Sequence, residues 1–96
     1  MFIVILRYIV DISVIDQHRP AHLVFLDEQF KKGIFVASGM QAPRYGGVII
    51  AKSPDRQSLL AILKNDPYYL NNCAEYQVTE FIPNKYSPEF EKVINA

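Results

Sequence analysis

Apolar residues run unbroken through positions 2–6, FIVIL, and resume after Arg7 as YIV. This β-branched and aromatic run over 2–10 predicts a first strand. The pattern then changes period. Over 11–18 a turn leads toward a helix, with Ser13 and Asp16 as candidate caps. Proline is best tolerated in a first helical turn, where its missing N–H is an orphan anyway. Pro20 therefore predicts a regular helix beginning around 17–20, or an earlier start with a kink, and running to Lys32. Gly33 suits the left-handed stop just past a helix end, and Lys31 and Lys32 suit its negative pole.

Two further strands are predicted over 34–40, IFVASGM, and 47–52, joined by the turn-rich QAPRYG. Ser53 then reads as an N-cap, with Pro54 at the first position of a second helix. Its apolar face holds Leu59, Leu60, Ile62 and Leu63, and the residue before Pro67 disfavours helix, so it stops at Asn65-Asp66-Pro67. One more turn over 68–73, a fourth strand over 74–82 and a terminal helix over 89–94 complete the chain.

The order β-α-β-β-α-β predicts an α+β ferredoxin-like sandwich, with both helices on one face of a four-stranded antiparallel sheet. An antiparallel sheet with one wet face normally alternates apolar and polar residues. The first strand does not: Phe2, Val4 and Leu6 oppose Ile3, Ile5 and Ile9. In the third, Val48 and Ile50 oppose Ile49 and Ala51. At about 25 cal/mol per Å², leaving the second face bare costs several kcal/mol, so a second copy packed sheet to sheet is expected.

Composition narrows the function. The 96 residues suit a single domain, with a core over 2–83 and a tail and helix over 84–96. Half are hydrophobic, and Lys and Arg balance Asp and Glu to a net charge of zero. This removes the electrostatic reason to expect nucleic acid or an anionic membrane as partner. The lone Cys73 cannot form an internal disulfide and reads as a small apolar filler. The apolar start lacks a leader's basic residues and cleavage site, and Arg7 breaks it too early for a membrane span. A cytoplasmic location is expected.

Candidate chemistry centres on His22, on the apolar stripe with Leu26 one turn on and Phe30 two turns on. It is either a hydrogen-bonded core residue or a proton carrier facing a pocket. Asp66 either orders the turn at a helix end or orients that imidazole as an acid–base partner. Ser38 and Gly39 end the second strand. The hydroxyl suits a substrate oxygen or the turn itself, and the glycine permits close approach. Arg44 is a surface charge or the anchor of an anionic group. Tyr68, Tyr69 and Tyr76 suit a pocket wall or the core. His18 and His22 have an i, i+4 spacing that a metal would accept, but no third ligand is evident. No metal or cofactor is expected.

The stretches "RPAHLVFLDEQFKKGIFVASG", "APRYGGVII" and "NDPYYLNNCAEYQVTEFIP" together resemble the YciI-like (YCII-related) proteins over residues 2–83. The resemblance implies a dimeric α+β barrel of ferredoxin-like halves. It also implies a site with a His–Asp pair, matched here by His22 and Asp66. Ser38 matches a serine beside that pair, and Arg44 and Gly47 match a "PR-GG" pattern. Dehydrochlorination of a chlorinated hydroxyquinol-type aromatic is an activity known in this family. The chain departs at Met40, where many members carry proline, and at Asn71-Asn72-Cys73, so that substrate does not transfer. Two functions follow as expectations. One is a lyase- or isomerase-type enzyme, with His22 and Asp66 moving a proton on an anionic or phenolic small molecule held by Ser38, Gly39 and Arg44. The alternative is a non-catalytic dimeric metabolite-binding or accessory module.

Overall fold

A computed structural model describes residues 1–96. Its elements are β1 (Phe2–Tyr8), α1 (Ile12–Lys31), β2 (Phe35–Met40), β3 (Gly46–Ala51), α2 (Arg56–Leu63), α3 (Pro67–Leu70), β4 (Ala74–Glu80) and α4 (Pro88–Ile94). The strands form one sheet in the order β2-β3-β1-β4, every neighbouring pair antiparallel. This is the ferredoxin-like topology expected from the element order. No helix is long and apolar enough to cross a membrane.

Strand alternation sets the two faces. Phe2, Val4 and Leu6 of β1, Ile49 and Ala51 of β3, and Ala74 and Val78 of β4 are buried on one face. They share a core with Ile15, Phe25 and Leu26 of α1, Leu59 and Leu63 of α2, and Tyr68 of α3. At roughly 1.5–3 kcal/mol for each fully buried large apolar side chain, this layer is the main stabilising term. The opposite face carries Ile3, Ile5, Val48 and Ile50, all half-buried. They sit together, because Ile3 pairs with Ile50 and Ile5 with Val48 across the β1–β3 ladder.

The strands cross closely at one point. A Cβ on Gly46 would lie 1.7 Å from the carbonyl oxygen of Leu6, so only glycine lets β3 pass β1 there. Gly33 (φ 73°) ends α1 in the left-handed conformation, as expected.

Three local expectations are corrected, at the caps of α1 and α2 and at the end of β4. Helix α1 begins at Ile12, the earlier of its two expected starts, with Pro20 inside it. Its cap is Asp11, whose carboxylate accepts the Ser13 N–H at 3.1 Å, in place of Ser13 or Asp16. The early start is favoured by packing: Ile15 is fully buried and Val14 rests on the core. That burial offsets the hydrogen bond lost at the interior proline. At α2 the cap is Asp55, accepting Ser58 N–H at 2.7 Å, so Ser53 and Pro54 precede the helix. Strand β4 ends at Glu80, and beyond it Ile82 is 84% exposed.

Candidate active site

The site lies between α1 and the inner face of the sheet. A proline at its first helical position starts α3, and Asp66 is the N-cap, accepting the Tyr68 N–H through Oδ1 at 3.0 Å. This turn packs against α1 and brings Asp66 to His22, 44 residues earlier: Nδ1 lies 2.7 Å from Oδ1. The Tyr76 hydroxyl, from β4, donates to the other carboxylate oxygen at 2.6 Å. Asp66 is thus fully buried with three donors on its two oxygens. A buried carboxylate persists only when so paired.

His22 is clamped from a second side. Its ring stacks on Tyr68 with centroids 4.0 Å apart and planes 15° apart. An Nδ1–H pointing at a carboxylate leaves Nε2 as the acceptor of the neutral imidazole. His22 lines a cavity of about 300 Å³ together with Tyr8, Arg19, Ser38, Gly39 and Tyr68. Apolar side chains, among them Leu6, Leu23, Leu26, Met40 and Ile49, supply most of the remaining wall. Ligand pockets run from about 300 Å³ upward, and a cavity of about 150 Å³ already holds benzene. One substituted ring fits.

The surroundings hold the tyrosines neutral. Burial, followed by the neighbouring Tyr8, pushes the Tyr68 hydroxyl up to about 12. Burial, then the charge of Asp66 and the bond to it, pushes Tyr76 above the usual phenol range. Tyr76 therefore stays a donor to the carboxylate.

His22, Ser38 and Gly39 face the cavity, while Asp66 stands behind His22 and does not line it. Arg44 does not line it either: its guanidinium donates to Asp16, in the second turn of α1, at 2.6 Å. Of the three tyrosines, Tyr68 forms wall, Tyr76 holds Asp66, and Tyr69 is exposed with its ring edge against Tyr76. His18 takes no part, and no group of three or more His, Cys, Asp or Glu is placed to hold a metal ion. Cys73 is fully buried, and burial pushes its thiol up, the setting of a filler residue. Sequence reading missed Arg19 and Tyr8. Arg19 carried a signal, since it lies three residues before His22 and shares its helix face once α1 starts at Ile12.

No curated protein matches the chain in sequence. Among solved structures the chain is similar to 5-chloro-2-hydroxyhydroquinone dehydrochlorinase (TftG) from Burkholderia phenoliruptrix AC1100, in complex with 2,5-dihydroxybenzoquinone. The TM-score is 0.72 at 17% identity, over 88% of this chain and 96% of that one, a likeness of fold. The family model of the YCII-related domain matches residues 1–82, the whole sheet with α1, α2 and α3. The chain belongs to the YCII-related domain family.

Proposed function

We propose that this protein is a small-molecule enzyme of lyase or isomerase type that uses His22 as its acid–base group. The observation that carries the reading is the 2.7 Å contact from Asp66 to the His22 ring at the wall of an apolar cavity. The carboxylate orients the ring and balances the charge that the imidazole gains when it takes a proton. Nε2 accepts a proton from a substrate carbon or hydroxyl. The electron pair left behind forms a double bond as a neighbouring group departs with its own pair, or the proton returns at another carbon. Such steps need one oriented base and a dry pocket, and call for no cofactor.

The substrate class is an anionic or phenolic ring compound, with Ser38 and Gly39 at the cavity wall beside it. The bound dihydroxybenzoquinone of the dehydrochlorinase with the same fold supports that class. The apolar patch of Ile3, Ile5, Val48 and Ile50 supports a homodimer packed through the outer sheet faces. We assign the protein to the cytoplasm, a setting suited to its one unpaired cysteine.

The second reading, a binding module, draws on the fact that Asp66 also caps α3. One experiment separates the two. Wild type and His22→Gln are incubated in D2O with 2,5-dihydroxybenzoquinone and with an unsaturated five-membered lactone, and C–H signals are followed by proton NMR. In a parallel assay, chloride release from 5-chloro-2-hydroxyhydroquinone is measured. Exchange or release that the wild type catalyses and His22→Gln lacks supports the enzyme. Binding with neither activity in the wild type supports the module.

A further inference from the structure

Three ion pairs occur in the protein: Arg7 with Glu75, His22 with Asp66 and Arg44 with Asp16. Arg19 belongs to none of them, although it lines the cavity and is half-buried. The only hydrogen-bond partner of its guanidinium is the thioether of Met40, with Nη1 3.5 Å from Sδ. A thioether is a neutral, weak acceptor, while a guanidinium carries five donors in a planar fork. A cation set at an apolar wall and resting on sulfur keeps most of its donors for the oxygens of a ligand.

The rest of the wall agrees. No Asp or Glu lines the cavity, and Asp66, behind His22, is saturated by its own three donors. Arg19 is therefore the one uncompensated charge facing the space. It lies three residues before His22 on α1, so both side chains project from one helix face. A ring held there presents its charged oxygens to Arg19 and its acidic proton to His22.

We infer that Arg19 is the anion anchor of the pocket, and that the preferred ligand is a single-ring compound bearing a carboxylate or an enolate-like oxygen pair that displaces Met40 from the guanidinium. The inference rests on the cavity being the substrate site proposed above, and it gives Arg19 the role that the sequence suggested for Arg44. Met40 Sδ accepts a single weak hydrogen bond from the guanidinium. A carboxylate replaces that contact with two charge-assisted hydrogen bonds.

Met40 also provides the readout. The chain has two methionines, Met1 and Met40, so [13C-methyl]methionine labelling yields two methyl signals. Benzoate and its neutral analogue benzyl alcohol are titrated into wild type, Arg19→Gln and Arg19→Lys. In the wild type, benzoate is expected to shift the Met40 signal saturably and to bind at least about tenfold more tightly than benzyl alcohol. Arg19→Gln should abolish that preference. Arg19→Lys, with a point charge in place of the fork, should keep part of it. Equal affinity for the two probes, no saturable Met40 shift, or benzoate binding unchanged in Arg19→Gln would overturn the anchor. Proton exchange by the wild type is read separately from benzoate binding. Loss of the anchor thus leaves the exchange result standing, and loss of exchange leaves the anchor standing.

Discussion

Tyr76 donates its hydroxyl to Oδ2 of Asp66 over 2.6 Å, occupying the carboxylate oxygen that His22 leaves free. Strand β4 thereby holds a helix cap and a catalytic candidate at once. Tyr76→Phe removes this donor and leaves a buried carboxylate oxygen unpaired. Such a group costs about 1–3 kcal/mol. A fall of that size in unfolding free energy, with the ring contact to Tyr69 retained, is expected from urea titration. An unchanged midpoint would mean that water or another donor takes its place.

Asp66→Asn separates cap from charge. The amide oxygen can accept the same Tyr68 N–H, so α3 should remain and the fold should survive. What disappears is the negative charge beside the imidazolium. A charge-assisted bond is worth about 1.5–3 kcal/mol, so His22-dependent exchange should fall on the order of 10–100-fold. Asp66→Ala should lose cap and charge together and melt at lower temperature than Asp66→Asn. Full exchange in Asp66→Asn would remove Asp66 from the chemistry and leave it a structural residue.

High pH tests the tyrosines. Folding raises Tyr68 from 10.0 to about 12 and shifts Tyr76 in the same direction. Above pH 10 the unfolded chain releases protons that the folded protein keeps, so stability falls as pH rises. This contribution is complete below pH 10 and is lost as pH approaches the folded value near 12. The urea midpoint should therefore drop between pH 9 and pH 12. Two of the six tyrosinates should appear at 295 nm only with unfolding. Their ionisation ahead of unfolding would show both hydroxyls in contact with water.

The element order was readable in the sequence because strand runs and helical stripes differ in period, and the sheet order followed from that. The start of α1 stayed open between 17–20 and an earlier, kinked start. Pro20 is a strong local signal, yet tertiary burial of Ile15 five residues earlier outweighs it. Arg44 was weighed as the anchoring cation and Arg19 was not, because Arg19 meets the cavity only through the way α1 lies on the sheet. His22 and Asp66 were recognisable as candidates, but their contact depends on how α3 packs against α1, which no local pattern encodes. Asp55 and Ser53 are both good caps two residues apart, and only the hydrogen bond to Ser58 distinguishes them.

Association through the outer sheet face is tested by mass. Sedimentation equilibrium should give twice the 11.0 kDa of one chain. Ile5→Glu puts a charge among Ile3, Val48 and Ile50 and should yield a folded monomer. A monomeric wild type, with the patch open to solvent, would contradict the dimer.

The hydrogen bond between His22 and Asp66 assigns a definite tautomer, and nitrogen-15 NMR of the histidine ring reads it. In the neutral wild-type imidazole, the proton should reside on Nδ1, facing the carboxylate, with Nε2 bare toward the cavity. Asp66→Ala should relax His22 toward a mixture of tautomers, while Asp66→Asn, keeping an acceptor oxygen, should retain the Nδ1–H form. A wild-type ring protonated on Nε2 would leave no base facing the pocket. It would contradict the His22–Asp66 pair as the acid–base centre.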